Sequence, residues 1–209
     1  MILLTTPIIA ISTLSYLLLK KKYKTVLNLY SNDRVLKEIN EPAVFSLNSF
    51  EFYKYLKENS KKLSILKIDN DNFYSSISKK ISVETEDNSP NVKVQFTTDN
   101  VTDGKVFAKE FSELSNSYLS NKKGIYLTNQ LKALEEQFLF LKQNIDLSQS
   151  KDPLIDTTVS KLYYYKLLQK DNVPLLKLID YQTKSAKNKK IILVFSAFLG
   201  IALGVLIAF

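Results

Sequence analysis

The chain has 209 residues, 29 of them basic and 21 acidic, with a single arginine at Arg34 and a formal net charge of +8. It contains neither cysteine nor histidine, which excludes disulfides, thiolate catalysis, histidine-based metal sites and Ser-His-Asp triads by inventory alone. Eight lysines at the two ends of the body (Lys20, Lys21, Lys22, Lys24 and Lys184, Lys187, Lys189, Lys190) supply the whole excess, so the body is neutral and has no basic stripe for nucleic acid.

Residues 1–19 carry no charge. They are expected to form an uncleaved membrane helix, since about 20 apolar residues cross a hydrocarbon core. A signal peptide is the rival reading, but it would need a basic start and a small-x-small cleavage site. Pro7 is tolerable near the helix start. The lysines that follow are placed for lipid head groups. Residues 23–30 alternate polar and apolar, as a strand covered on one face does. Residues 43–57 place Phe50, Tyr53 and Leu56 at helical spacing, with Asn48 or Ser49 as N-cap. The run Asp69-Asn70-Asp71-Asn72 superficially resembles a calcium loop, but it lacks the glycine and has Lys80 in place of the closing glutamate. A turn leading into a helix around 73–77 is the simpler reading. Residues 81–86 and 92–98 alternate on either side of a turn cluster, which predicts a β-hairpin. Asn100-Val101-Thr102 fits a glycosylation sequon, but Asp99 or Thr102 capping the next helix is the better use of these residues.

The longest periodic stretch runs over 102–146. Phe107, Phe111, Leu114, Tyr118 and Ile125 form one heptad seam, and Leu127, Leu131, Leu134, Phe138, Leu141 and Ile145 form a second in a different phase. We expect one helix of about 40 residues and about 60 Å, with a stutter or bend near Gly124. The second seam needs a partner helix, from this chain or another subunit, and is the candidate intersubunit seam. Residues 154–169 resume a helix that can fold back against the first, with Tyr163-Tyr164-Tyr165 presenting aromatics to different neighbours. Residues 174–181 are expected to return to the sheet as a strand. A lysine-bearing linker, 184–190, leads to the uncharged segment 191–209, a second membrane helix whose Gly200 and Gly204 form a small-xxx-small packing face.

Nothing catalytic emerges. Glu135 and Glu136 lie on a helix surface beside lysines, and none of the four glycines stands in a phosphate-cradling spacing. No enzyme activity, cofactor or metal is expected. Lysines beside membrane spans usually face the cytoplasm, which taken alone would put the body there.

Three stretches resemble the polysaccharide co-polymerases, the Wzz-type chain-length determinants of O-antigen. LLLKKKYKTVLNLY is similar to that family's exit from its first membrane helix into its first strand. ISVETEDNSPNVKVQFTTDNVTDGKVFAKEFSELSNSYL is similar to its hairpin and the helix leading into its arm. VPLLKLIDYQTKSAKNKKIILVFSAFLGIALGV resembles its closing strand, linker and second membrane helix. The chain departs from the family in a linker without prolines, a shorter arm than the larger members, no cytoplasmic tail at either end and no kinase domain.

The resemblance implies an α+β fold. Its parts would be a membrane-proximal α/β base with a small mixed sheet, a long helical hairpin arm and two terminal transmembrane helices. The implied domains are a first span over 1–19, a periplasmic body over 20–183, a linker over 184–190 and a second span over 191–209. The implied role is control of polysaccharide (O-antigen, lipopolysaccharide) chain length by a non-catalytic homo-oligomeric ring in the bacterial inner membrane. Its partners would be further copies of itself, a membrane polysaccharide polymerase, the growing lipid-linked polysaccharide and membrane lipids. The alternatives are a capsule or exopolysaccharide export co-polymerase without its kinase domain, and a membrane-tethered adaptor unrelated to polysaccharide.

Overall fold

A computed structural model describes residues 22–39, 41–85, 90–144 and 153–186. Four strands form one sheet: β1 (Tyr23–Ser31), β2 (Ile81–Thr85), β3 (Asn91–Thr98) and β4 (Leu176–Ser185), in the order β2-β3-β1-β4. Every pairing is antiparallel. The expectation of a mixed sheet is therefore corrected. β1 and β4 are joined by the whole body of the chain, and a path that long can return to a neighbouring strand in either direction.

Alternation sets which face is covered. Thr25, Leu27, Leu29 and Ser31 of β1, and Val92, Val94, Phe96 and Thr98 of β3, are all buried. The intervening residues point to the other face, as the period of two demands. Opposite β1, Asn28 pairs with Asp180 but Leu29 pairs with Leu178, so Ile179 is an extra residue in β4 and is 55% exposed. This bulge re-aims β4, letting Leu176 and Leu178 on one side of it and Tyr181 and Thr183 on the other address the same face.

The covered face meets helices only. Short helices α1 (Asp33–Glu38), α2 (Ala43–Leu47), α3 (Phe50–Asn59) and α4 (Phe73–Lys80) fill the space between β1 and β2, with a 3₁₀ turn at Leu63–Leu66. Ser49 caps α3 by accepting the Phe52 N–H at 3.1 Å, one of the two caps expected. Phe52 of α3 lies edge-on to Phe111 at 5.6 Å, and Phe96 of β3 lies edge-on to Phe107 at 4.9 Å. All four rings are almost wholly buried, each contributing about 1.5–3 kcal/mol by removal from water.

Phe107 and Phe111 belong to α5 (Val101–Asn144), a helix of 44 residues and about 65 Å at 1.5 Å per residue. Its cap is Asn100, whose Oδ1 accepts the Asp103 N–H at 2.7 Å, and not Asp99 or Thr102. It is one uninterrupted α-helix, so the expected stutter at Gly124 is not present as a break. The change of phase has another cause. At 100° per residue, the seam at Phe107, Phe111 and Tyr118 lies about 180° round the helix from that at Leu127, Leu131 and Phe138. The first seam packs on the sheet domain. The second faces away from it, towards α6 (Pro153–Lys170), which folds back alongside α5 with Lys166 paired to Glu135 at 3.2 Å. Ile125, assigned to the first seam, is on the domain side but beyond the domain, and is 65% exposed.

The two terminal membrane helices, and with them the two-pass inner-membrane arrangement with a periplasmic body, are corrected as well. Among the described residues no helix is long and apolar enough to cross a membrane. The long helices α5 and α6 carry charges throughout, from Lys105 to Lys142 and from Asp156 to Lys170. Segments 1–19 and 191–209, on which that expectation rested, lie outside the described residues.

Candidate functional site

The lysines of the two chain ends meet on the sheet. Register places Lys24 of β1 directly opposite Lys184 of β4, and the Ala186 N–H closes the ladder on the Lys22 carbonyl at 2.8 Å. β4 extends to Ser185, so Lys184, expected to open the linker, is a strand residue. Lys20, Lys21, Lys187, Lys189 and Lys190 lie outside the described residues, as do Gly200 and Gly204.

Because Lys24 and Lys184 sit at outward positions, they stand on the face that no helix covers. Together with Val26, Asn28, Lys93 and Gln182 they line a shallow groove of about 320 Å³. Among the described residues none of its three lysines has a carboxylate within ion-pair distance. Asp180 is on the same face, but its carboxylate accepts from the Asn28 amide at 2.6 Å. Like charges directly opposite across two strands are unfavourable by some tenths of a kcal/mol. The groove therefore presents cations and amide groups and suits an anionic, hydrogen-bonding partner. Lys93 was not singled out from sequence. The alternation of VKVQF already set it on the polar face of its strand, and only the order of strands brings it opposite Asn28 and into the groove that Lys24 lines.

The arm is the second surface. Of the candidate intersubunit seam, Leu127, Leu131, Leu134 and Leu141 are buried within the single chain, Phe138 is half-buried and Ile145 lies outside the described residues. α6 occupies that side of α5. Tyr165 of α6 donates to Glu38 Oε1 at 3.3 Å, and burial, with Tyr126 and Glu38 beside it, pushes its hydroxyl up to about 12. What remains uncovered is the outer side of the hairpin. Val159, Tyr163 and Leu167 are 46%, 67% and 49% exposed at intervals of four residues, and Ile125, Leu139 and Phe140 are exposed on α5. A stripe at i, i+4, i+8 is one helix face. Of the three consecutive tyrosines, Tyr163 thus faces solvent while Tyr165 faces the body.

No protein-family model matches the chain, and no curated protein matches it significantly. Among solved structures, it is similar to one described as a full-length bacterial polysaccharide co-polymerase. The identity is 10% and the TM-score 0.46, over 98% of this chain and 90% of that one.

Proposed function

We propose that this protein is a non-catalytic scaffold that controls the chain length of a surface polysaccharide of the O-antigen type, working as a homo-oligomer beside a polysaccharide polymerase. The observation that carries the reading is the pairing of β1 with β4 beneath a helix about 65 Å long, of which the stretch from Ile125 to Asn144, about 30 Å, projects beyond the sheet domain as an arm. That arrangement brings Tyr23 and Ser185 together at one end of the sheet and projects the arm from the body. The sequence resemblance also implies an α+β base and a long helical arm, although the sheet is antiparallel and not mixed. Repeated copies side by side would bring the apolar stripe of Val159, Tyr163 and Leu167 against a neighbouring arm, removing it from water. The buried seam between α5 and α6 keeps each arm rigid enough to act as a spacer.

Deletion of the gene followed by electrophoresis of the surface polysaccharide tests the reading. The expected result is loss of the preferred length with polymer still made. An unchanged length distribution overturns it. Loss of surface polymer altogether would favour the export co-polymerase instead.

A further inference from the structure

Where α5 passes the connection from α6 to β4, the chain lines a second polar cavity, half open to solvent, of about 180 Å³. That is room for about six waters at their liquid volume. Lys123 is in its wall and only 7% exposed. The Lys123 Nζ donates to the Asp171 carbonyl oxygen at 2.7 Å, and that is its one hydrogen bond to the described residues. No described carboxylate lies within ion-pair distance of it. Among the described residues of the wall Asp171 is the one acidic side chain, and its Oδ1 accepts the Val173 N–H at 3.0 Å. An ammonium has three N–H donors, and a charge held out of bulk water without a counter-charge is costly. Among the described residues, the one fully buried side-chain polar atom without a partner is Ser115 Oγ.

The rest of the wall is also rich in donors. Asn116 commits its Oδ1 to the N–H groups of Leu175 and Leu176 at 2.9 and 3.1 Å, which leaves its NH₂ group to donate. Ser120 and Asn172 stand at the exposed rim. Gly124 leaves the wall open, since a Cβ built there meets nothing within 4 Å. A cation, amide and hydroxyl donors, and a space wider than water needs together describe a receptor for an oxyanion.

We propose that this cavity binds a carboxylate or phosphoryl group carried on a sugar, with Lys123 as the counter-ion and Asn116 as a neutral donor. The choice of sugar-borne anions rests on the polysaccharide reading; the demand for an oxyanion rests on the cavity alone. The test is titration of the purified full chain with glucuronate, glucose 1-phosphate, inorganic phosphate and neutral glucose. It is read by calorimetry and by the amide resonances of Gly124 and of the Asn116 side chain. Saturable binding of the anions but not of glucose is expected. Lys123→Met should weaken it by about tenfold or more, the loss of one charge-assisted hydrogen bond. Gly124→Leu, which keeps the lysine and fills the space, should abolish it with helix content unchanged. Glucuronate binding without phosphate identifies a carboxylate site, and glucose 1-phosphate binding without glucuronate a phosphoryl site. Inorganic phosphate alone keeps the oxyanion site but removes its link to polysaccharide. Equal binding of glucose, no saturable shift with any anion, or full affinity in Lys123→Met overturns the proposal, whatever the polymer-length gel shows.

Discussion

Lys122 on α5 donates to the Glu41 carboxylate at 2.9 Å, fastening the loop between α1 and α2 to the long helix. Partial burial pushes the Glu41 carboxyl up, but the Ser46 hydroxyl and Lys122 outweigh it and hold the group below its ordinary 4.5. Burial pushes Lys122 down, but Glu41 and Tyr118 outweigh that and hold it above 10.5. The two partners agree on a favourable pair. A depressed carboxylate contributes stability that is complete above its unfolded value and is lost as pH falls through the folded one. We therefore expect wild type and Glu41→Gln to differ by about 1 kcal/mol near neutral pH. The difference should shrink below pH 4.5. Denaturant unfolding of both proteins across an acid series measures it.

Tyr165 gives the alkaline counterpart. Its hydroxyl is raised from 10.0 to about 12, so the proton is held more tightly in the folded state. Its stabilising contribution is complete below pH 10 and is lost between 10 and 12. Tyr165→Phe should flatten the fall in stability over that interval, followed by thermal melts at increasing pH.

Two glycines of one helix should respond in opposite directions. A Cβ on Gly104 would press on Thr25 Oγ1 and Thr98 Oγ1, at the layer where Thr25 meets Thr183 at 3.1 Å. Gly104→Ala is expected to destabilise by about 1–3 kcal/mol through overpacking. Gly124→Ala meets nothing and should stabilise by about 0.5–1 kcal/mol through helix propensity. Differential scanning calorimetry of the two variants decides it.

Asn116 holds the start of β4 by accepting two backbone N–H groups. Asn116→Ala leaves both without that acceptor, at a cost of about 2 kcal/mol or more, whereas Asn116→Asp keeps the oxygen and should recover most of it. The free energies of unfolding in urea compare them.

Tyr163→Lys combined with Val159→Lys should lower the oligomer mass in light scattering while leaving the melting point nearly unchanged. Both side chains are well exposed in the single chain, and surface changes of this kind are worth about 0.5 kcal/mol. Retention of the full mass would show that the stripe is not the assembly surface.

Local chemistry made much of this fold readable in advance. Alternation in ISVET and VKVQFTT marked β2 and β3, and the serine before a periodic run marked the start of α3. The length of α5 followed from its repeat. What failed did so where partners are distant in sequence. Asn100 was passed over as a cap because three polar neighbours compete for the position and only the fold selects one. The second seam left open a partner from this chain or from another subunit, because periodicity reveals an apolar face and not what covers it. Nothing in the sequence separates Lys123 from Lys122; its burial depends on the connection between α6 and β4. Glu110, which accepts from Ser60 Oγ at 2.6 Å and from the N–H groups of Lys61 and Lys62, looks like any surface acid until α3 is seen to end against it.

The pairing of β1 with β4 has a consequence for how the chain comes into being. β1 is an interior strand, yet contacts such as that between Asn28 and Asp180 join residues 152 positions apart. During synthesis β1 can dock on β3 early, but its other edge must wait until nearly the whole body has left the ribosome. Through that interval the exposed edge, with Leu27 and Leu29 beside it, is a template for the strand of another nascent chain. Closing the sheet is therefore the late and slow event in folding, as pairings of such long span require. The final ten residues of the body act as its latch.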